Sequence, residues 1–547
     1  MTELTAAEPV FAPLADGVQV EIRPLVQADR DAVRGLHRSL SPDSLYARFF
    51  GLGAAAADQA AERLCRGTGP GRAALGAWLR GELVGVGEFD PTGTPGEAEV
   101  AFAVADRMQH HGVGTLLLER LVELARARGI GVFRADVLAS NAAMLRVFAD
   151  AGLDVRSRVS AGVVEAAISL DGGERYRAAV ADRASRADVA SLVPLLRPRS
   201  VAVVGTAPDV LRSLTSGGFA GTVHAVNPHA AGRVTRGAPC VATPAELPVP
   251  PDLVVLSVPA VSVADAAAAC GRRGARAVVV LTGGLNHGQD RALRDACHAW
   301  GMRLVGPGSS GVAHPLIGLH ATAVRRPAGS VGVVAGTGGA ALLDGLARIG
   351  AGVSTFAGVG AAADVCAADL LRWWAADPAT RLGVLGPGTS GDPGTLARAA
   401  RRVPLLALGA PAEPFARAGI VAVGTLDDLL DVAALLARQP FPRGPRVAVV
   451  ERGHETAAVC AAAGLTVTAR AAGLDARAFR KLADDGDVDA VLIALPVRPG
   501  VVAACGKPVL AVRPGQAGTV GVPSYAAPER AARALARAWS AVRRADG

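Results

Sequence analysis

Residues 97–118 change from a two-residue hydrophobic period to a helical one within a single short stretch. Val100, Phe102 and Val104 alternate with small residues, which predicts a strand, and the apolar spacing from residue 115 onward predicts a helix. The turn between them, QHHGVG, contains Gly112 and Gly114. Because free N–H groups and the positive end of the helix dipole meet at such a turn, it is a candidate anion site. On pattern alone, an ordinary packing turn explains the glycines equally well.

The rest of the first 170 residues continues this mixture of periods. Alternation predicts a strand at residues 18–24, and helices are expected over residues 29–40 and 41–50. Further elements are expected in this order: strands at 74–79 and 83–89, the strand and helix described above, a strand at 132–137, a helix at 141–151 and a strand pair ending at residue 170. Residues 1–17 are predicted to be a disordered lead-in.

From residue 195 the pattern becomes a repeat of apolar strands separated by helices. The strands are nearly continuous runs of apolar residues, expected at 197–205, 223–228, 253–259, 277–281 and 304–306. Such runs indicate a parallel sheet covered by helices on both faces. Similar patterning continues toward residue 547, and a polar, arginine-rich stretch from residue 171 predicts a helical linker.

Length, charge and cysteine usage narrow the class of protein. A chain of 547 residues predicts three to four domains. No apolar run is long enough to span a membrane, and the N-terminus lacks the basic start and apolar centre of a secretory signal. The net charge of +8 is spread over arginines with few aromatic residues, which argues against a nucleic-acid partner. Seven scattered cysteines without a CxxC pair predict free thiols in a reducing cytoplasm and no metal site.

Motifs around the first stretch resemble GCN5-related N-acetyltransferases (GNAT). The Q-x-x-G-x-G turn at residues 109–114 is similar to the acyl-CoA pyrophosphate loop of that family, and NAAMLRVFADAG at 141–152 is similar to its closing segment. LSPDSLYARFF at 40–50 resembles the helix pair that borders the acceptor site in acetyltransferases fused to acyl-CoA synthetase-like modules. The resemblance implies a mixed-sheet GNAT fold with acetyl-CoA as co-substrate.

The same resemblance implies roles for individual residues. Glu99 would be the catalytic base that accepts a proton from the acceptor amine, and Glu97 on the same strand is the second choice. A solvated edge-strand carboxylate is the alternative interpretation of either glutamate. The N–H group near Val104 would stabilise the oxyanion, and Asn141 fits both a helix cap and a cofactor contact. The implied cofactor-binding set is Phe102, Ala103, Val104, Gln109, His110, His111, Gly112, Val113, Gly114, Thr115 and Asn141.

Two features depart from the family pattern. Phe148 stands where many relatives have a tyrosine that protonates the leaving thiolate, and a phenylalanine cannot donate that proton. A CoA thiol is acidic enough to leave unassisted, so activity is still expected. His110 and His111 occupy positions where arginine is common, which predicts a weaker or pH-sensitive attraction for phosphate.

The remainder of the chain resembles NDP-forming acyl-CoA synthetases. LRPRSVAVVG, AVNP, DLVVLSVPA and GMRLVGP are similar to their Rossmann-like CoA-binding domain, and later segments are similar to two flavodoxin-like succinyl-CoA ligase-type domains. The expected fold class is therefore α/β, with a GNAT domain followed by these three. The expected boundaries are 1–17 lead-in, 18–171 GNAT domain, 172–193 linker, 194–318 CoA-binding domain, 319–440 first flavodoxin-like domain and 441–547 second flavodoxin-like domain.

Features on which the synthetase reaction depends are missing from this part. Such enzymes pass a phosphoryl group through a histidine on a serine- and glycine-rich loop, but residues 403–410 run almost directly into 414–423 without one. The family's GPNC-type and SQSG-type turns read GPGS at 306–309 and AGTG at 335–338, and the first Rossmann turn is shortened to TAPD at 206–209. No ATP-grasp segment is expected. His314, His320 and His454 are interpreted as surface or core residues.

The expected function is acetyl-CoA-dependent N-acetylation, of protein lysines in the cytoplasm. The chain resembles bacterial protein lysine acetyltransferases of the Pat type without their ATP-grasp domain, which suggests an acyl-CoA synthetase as the acceptor partner. The synthetase-like module is expected to be inactive, as a scaffold or weak sensor, and the resemblance allows CoA to bind there. Neither a membrane nor a nucleic acid is expected as a partner, and the oligomeric state stays open.

Three other functions remain open from the sequence. One is acetylation of a small-molecule amine. Another is a CoA-responsive regulatory or binding protein whose GNAT domain is silent. The third is a synthetase α-like subunit that works with a separate ATP-grasp chain, which requires a phosphorylatable histidine.

Overall fold

The computed structural model describes residues 9–50, 53–67, 69, 71–336, 338–389, 396, 398, 400–409, 415, 419–496, 501–502, 505–512 and 522–545. The chain divides into two compact units. The first unit is Met1–Pro194 with Ala267–Ala277 and Arg291–Arg303, and the second is Leu195–Ala266, Val278–Asp290 and Leu304–Gly547. Within the described ranges, no helix is both long and apolar enough to cross a lipid bilayer.

The N-terminal domain is an eight-stranded mixed sheet with helices on both faces. Its strands are β1 (Val10–Pro13), β2 (Gln19–Pro24), β3 (Ala73–Leu79), β4 (Glu82–Pro91), β5 (Glu97–Val104), β6 (Val132–Leu138), β7 (Asp154–Ser160) and β8 (Val163–Ser169). Its helices are α1 (Arg30–Ser39), α2 (Pro42–Phe49), α3 (Gly53–Leu64), α4 (Val113–Arg126), α5 (Ala142–Asp150) and α6 (Glu174–Ser191). The strand order is β1-β2-β3-β4-β5-β6-β8-β7, and only β5 and β6 run parallel.

Three parts of this domain differ from the expectation. The prediction of a disordered lead-in is wrong for Val10–Pro13, which pair antiparallel with β2 as β1, while residues 1–8 lie outside the described residues. Helix α3 was not expected. The expected linker forms α6, which is held on the sheet domain because Tyr176 is buried in its core and Arg183 pairs with the buried Glu119.

Strand parity decides which helices cover each face of this sheet. A Cβ atom on Gly85 would lie 2.8 Å from Val113 Cγ1, and one on Gly87 would lie 3.0 Å from Leu121 Cδ1. These glycines therefore let α4 approach β4 closely. Glu88 has the opposite parity and meets side chains of α2 and α3.

The second domain confirms the predicted sheet with two covered faces. Its strands are β9 (Ser200–Gly205), β10 (Thr222–Val226), β11 (Val234–Thr235), β12 (Ala238–Val241), β13 (Leu253–Ser257), β14 (Ala277–Val280) and β15 (Arg303–Val305). Its helices are α7 (Val193–Leu196), α8 (Pro208–Ser216), α9 (Val263–Arg272) and α10 (His287–Ala299). The order is β11-β12-β10-β9-β13-β14-β15, and β9 pairs in parallel with β10 and β13. All of β14 is buried, as a doubly covered strand requires.

The third domain is a seven-stranded sheet with the order β17-β16-β19-β18-β20-β21-β22. Its elements are β16 (Gly311–His314), β17 (Leu319–Ala321), β18 (Ala328–Ala335), α11 (Gly339–Arg348), β19 (Val353–Gly358), α12 (Ala367–Ala376), β20 (Leu382–Leu385), β21 (Leu405–Leu408), β22 (Val421–Val423) and α13 (Leu426–Leu436). The expected boundary at residue 318 divides a hairpin of this sheet. Strand β16 belongs here because it pairs antiparallel with both β17 and β19.

The fourth domain is a five-stranded parallel sheet with the order β24-β23-β25-β26-β27. Its elements are β23 (Arg446–Val450), α14 (Glu455–Ala462), β24 (Thr466–Ala471), α15 (Ala476–Asp484), β25 (Ala490–Ile493), β26 (Val509–Val512), β27 (Ser524–Tyr525) and α16 (Pro528–Ala545). The four sheets confirm the α/β class expected from the sequence.

Candidate active site

Strands β5 and β6 begin as a parallel pair and then separate. Strand β5 is paired with β4 from Ala98 to Val104, but its partners on β6 are confined to Glu97, Ala98 and Glu99. Among the described residues, the edge of β5 that faces β6 therefore has no ladder partner from Val100 to Val104. We call this opening the fork. It exposes backbone donors and acceptors that can pair with one extended ligand, and Glu99 lies at its apex.

The turn from β5 into α4 is a cradle of free backbone donors. His110 and Gly112 have φ values of 66° and 93°, whereas His111 between them is not in the left-handed region. Alternation of this kind turns successive N–H groups toward one side, as in anion-binding nests. No protein acceptor binds the N–H groups of residues 110–115 among the residues that the structure describes. Because the first turn of α4 also has no acidic residue, the dipole and the free donors favour an anion there.

A knot of hydrogen bonds ties this cradle to α2. Asp106 accepts from Ser41 N at 2.8 Å and from Ser44 Oγ at 2.5 Å. The Gln109 amide donates to the same carboxylate at 3.2 Å and to Ser44 Oγ at 3.1 Å. The hydroxyl of Ser44 is the main cause that holds the pKa of Asp106 below its ordinary value. Gln109 therefore acts in this structure as a brace for the loop, and Asp106 is a positioning residue that the sequence did not reveal.

The other expected cofactor residues are partly assembled around the fork. Phe102 and Val104 are half-buried on β5, and Ala103 is buried. A Cβ atom on Gly114 would lie 4.0 Å from both Val104 Cγ2 and Val147 Cγ2, so β5, α4 and α5 meet there.

Three further residues that the sequence pointed to contact other residues of the protein. Asn141 caps α5, since its Oδ1 accepts from Met144 N at 3.1 Å. His111 contacts Asp16, with 2.9 Å between Nδ1 and Oδ2. The Phe148 ring is buried, 6.4 Å between centroids from that of Phe102.

The two glutamates considered as the base have different surroundings. Glu99 is exposed, and its side chain forms no hydrogen bond or ion pair with any residue in the described ranges. Glu97 forms a bidentate ion pair with Arg134, with distances of 2.7 Å to Nη2 and 2.9 Å to Nε. This hydrogen bonding lowers the pKa of Glu97 from its ordinary value. Glu99 is thus the carboxylate that is available to accept a proton.

A buried carboxylate lies on β4 close to this site and was missed by the sequence reasoning. Glu88 is 3% exposed, and its Oε1 accepts from Arg48 Nη2 at 2.6 Å and from Arg63 Nη2 at 2.7 Å. The Glu88 hydrogen bond raises the pKa of Arg63, whereas burial lowers that of Arg48. This trio joins α2 and α3 to the sheet. The available signal was a glutamate within an otherwise apolar run of β4.

The turns of the synthetase-like module offer fewer free donors. After β9, Thr206 N donates to Ser257 O at 2.9 Å, and Pro208, the first residue of α8, has no N–H. After β23, the buried Glu451 accepts from Thr456 N at 2.8 Å, from Ala457 N at 3.2 Å and from Arg470 Nη2 at 3.0 Å. A side-chain carboxylate therefore already occupies the start of α14.

The histidines and loops singled out in this module are placed as follows. His314 is buried, with its Nδ1 2.9 Å from Leu196 O, His320 is buried, and His454 is exposed before α14. Burial lowers the pKa of both buried imidazoles. Residue 337 of the expected phosphate-type turn, and residues 410–414 and 416–418 of the region expected to hold the histidine loop, lie outside the described residues.

Comparison with protein families matches three parts of the chain. Residues 43–153 match the acetyltransferase (GNAT) family, residues 199–315 match a CoA binding domain, and residues 328–408 match a succinyl-CoA ligase like flavodoxin domain. The expected resemblance to a GNAT domain fused to CoA-binding and ligase-like domains is thereby confirmed. The GNAT domain has acetyl-CoA as its co-substrate, as expected.

Individual proteins are similar to parts of the chain. The alpha subunit of acetate–CoA ligase [ADP-forming] II of Pyrococcus furiosus is 26% identical over 299 residues, which are 46% of this chain and 64% of the relative. The chain thus spans less than two thirds of that relative. The apo structure of dinucleotide-forming acetyl-coenzyme A synthetase 1 of Ca. Korarchaeum cryptofilum is 22% identical with a TM-score of 0.58, covering 65% of this chain and 98% of that one. This second likeness shows the fold.

A solved GNAT domain can be set beside the N-terminal part. The GNAT domain of S. lividans PAT is 32% identical, and the alignment covers 29% of this chain and 96% of that chain with a TM-score of 0.27.

Proposed function

We propose that this protein is an acetyl-CoA-dependent N-acetyltransferase of protein lysines that acts in the cytoplasm, with Glu99 as its catalytic base. The observation that carries the proposal is the juxtaposition of an unpaired carboxylate with a fork and a cradle of free donors on one strand-turn-helix unit. Binding of a phosphate needs the cradle, and removal of a proton from an amine needs the carboxylate.

The residues around the fork divide the reaction among them. The N–H groups of residues 110–115 bind the pyrophosphate, and the open edge of β5 from Val100 to Val104 orients the extended arm of the co-substrate. A donor near Val104 stabilises the negative charge that develops on the thioester oxygen. Because a lysine amine is protonated at neutral pH, Glu99 takes up its proton, directly or through water, before nitrogen attacks.

The products follow from the same balance of bonds. A bond forms between the amine nitrogen and the acetyl carbon while the carbon–sulfur bond breaks. The attacking nitrogen releases its second proton to solvent as the amide forms. The thiolate leaves with the electron pair and takes its proton from solvent, because the buried Phe148 has no proton to give. This assigns no acid role to the side chain at position 148.

The proposal includes a synthetase-like module that has lost phosphoryl transfer. Residues 403–423 contain no histidine. In addition, Glu451 fills the helix start after β23, and Pro208 removes a donor after β9. These features support a scaffold or weak sensor of CoA, and the resemblance to Pat-type proteins supports an acyl-CoA synthetase as the lysine-bearing acceptor.

The test is transfer of labelled acetyl from acetyl-CoA to a purified acyl-CoA synthetase by the full chain. Glu99→Gln should lower kcat by about 100-fold or more, since general-base catalysis contributes about 10²–10⁴-fold. Glu165→Gln is the matched control, because Glu165 is an exposed glutamate on β8 opposite Asp136 of β6. Absence of transfer by the wild type with acetyl-CoA binding intact contradicts this acceptor. Equal transfer by wild type and Glu99→Gln removes Glu99 as the base.

A second candidate is a CoA-responsive binding protein whose GNAT domain is silent, and Phe148 is the observation that favours it. It predicts acetyl-CoA binding without transfer to either proteins or small amines. A panel of small amines in the same assay also distinguishes a small-molecule acceptor. Formation of phosphohistidine after incubation with labelled ATP and an ATP-grasp partner chain would instead support a synthetase α-like subunit.

A further inference from the structure

Arginines surround Glu99, yet none of them is paired with it. Arg134 is its direct neighbour across the parallel β5–β6 pairing. Arg48 and Arg63 lie over the same face of the sheet, because their partner Glu88 is two residues from Asp90, the residue opposite Glu99 on β4. An arginine paired with a carboxylate stabilises the ionised form and opposes proton uptake. A base in this position functions well only if these arginines are kept from it.

Carboxylates other than Glu99 hold these three arginines. Glu97 binds Arg134 through both of its oxygens, a geometry that makes ion pairs strong and directional. Glu88 binds Arg48 and Arg63 through a shared oxygen. All three arginines are thus ion-paired with carboxylates other than Glu99.

Strand geometry places Arg134 within reach of both Glu97 and Glu99. Glu97 and Glu99 are two residues apart on β5, so both side chains project from the same face as Arg134. Side chains directly opposite each other on neighbouring strands lie about 5 Å apart at Cβ, so an arginine can reach Glu99 as well as its diagonal neighbour. In the structure it binds the diagonal neighbour, Glu97.

We infer that Glu97 and Glu88 are positioning residues that hold the arginines away from Glu99 and so keep it available as a base. The inference rests on the proposed role of Glu99. It gives the second glutamate of β5 a function other than catalysis.

The test is a double-mutant cycle on the full chain with the acetyl-transfer assay. Glu97→Gln releases Arg134 toward Glu99, and we expect kcat/KM for the acceptor to fall about fivefold, the upper range for an exposed ion pair. The KM for acetyl-CoA should stay unchanged. Arg134→Gln alone should retain wild-type activity, and Glu97→Gln with Arg134→Gln should recover it. Thermal unfolding of each variant verifies the fold.

The outcomes separate this inference from the proposed function. Recovery in the double variant supports sequestration, because a merely structural loss at position 97 is not reversed by removing a second side chain. A double variant as slow as Glu97→Gln, or a Glu97→Gln protein as active as the wild type, overturns the inference while leaving Glu99 as the base. Full activity of Glu99→Gln overturns both.

Discussion

Two strand-to-helix turns of this chain follow the same plan and present different surfaces to an anion. The turn between β5 and α4 keeps its N–H groups free over residues 110–115. The turn between β9 and α8 begins with Gly205, where a Cβ atom would lie 2.1 Å from Ser257 O. In this turn the Thr206 N–H donates a hydrogen bond to Ser257 O. Helix α8 then begins with Pro208 and has Asp209 in its first turn.

The difference shows that a helix start becomes an anion site only where its donors are left unpaired. The dipole of α8 is as favourable in direction as that of α4, but a proline, an internal hydrogen bond and a carboxylate oppose its use. At the turn between β23 and α14, the carboxylate of Glu451 binds the donors at the helix start and so takes the place of an external anion. The order of strand, turn and helix is shared by all three turns and does not distinguish them.

Among changes in these turns, the largest effect on acetyl-CoA binding is expected from Gly112→Val in the turn between β5 and α4. A β-branched residue at a φ of 93° is strained by about 1–2 kcal/mol and turns the adjacent N–H groups away from their common direction. We expect the Kd of the full chain for acetyl-CoA to rise about tenfold or more, measured by calorimetry. Gly129→Val is the matched control, because Gly129 follows α4 with a φ of 75° and open space around it. Equal binding by both variants would show that the cradle is not the phosphate site.

An effect on stability, and not on ligand binding, is expected at the turn that carries its own carboxylate. Burial alone would raise the pKa of Glu451, but hydrogen bonds from Thr456, Ala457 and Arg470 outweigh it and lower the pKa from its ordinary value. Glu451→Ala leaves these donors without their acceptor and should cost about 1–3 kcal/mol of unfolding free energy. Chemical denaturation, followed by a probe in the fourth domain, measures this loss.

The pH dependence of the same site has a defined sign. Because the folded pKa of Glu451 lies below the unfolded one, its stabilisation is complete above the unfolded value of about 4.3. It is lost as the pH falls through the folded value. The stability difference between wild type and Glu451→Ala should therefore shrink on acidification below about pH 4.3. A difference that grows on acidification would contradict the assignment.

The smallest effect on acetyl-CoA binding is expected from Asp209→Asn at the turn between β9 and α8. Removing this charge leaves Pro208 and the bond from Thr206 in place, so the number of acetyl-CoA molecules bound per chain should stay at about one. Calorimetric titration of the full chain measures this number. The same titration of Gly112→Val shows whether the bound molecule lies at the turn between β5 and α4. A second equivalent bound by Asp209→Asn would show that charge alone closes the turn of α8.

The sequence was sufficient for features that depend on neighbouring residues. The alternation before Val104 and the glycines of the turn predicted β5, the cradle and the strand position of Glu99. Contacts between distant segments were not predictable in this way. Glu88 interrupts an otherwise apolar strand, but the strand does not reveal its partners Arg48 and Arg63, which come from helices 40 and 25 residues away. The contact of His111 with Asp16 spans 95 residues and depends on β1, which the pattern did not reveal.

The fork also gives the sheet an internal edge, which differs from the edges at β1 and β7. An outer edge can add a strand from another molecule, and then another, which is how sheets aggregate. The edge along Val100–Val104 faces β6 of the same sheet. It ends where the two strands begin to pair, at the opposite positions Glu99 and Arg134. It can receive one extended molecule and no more, because β6 lies on the far side. The protein thus presents unpaired strand backbone to a ligand at a place where it cannot nucleate a fibril.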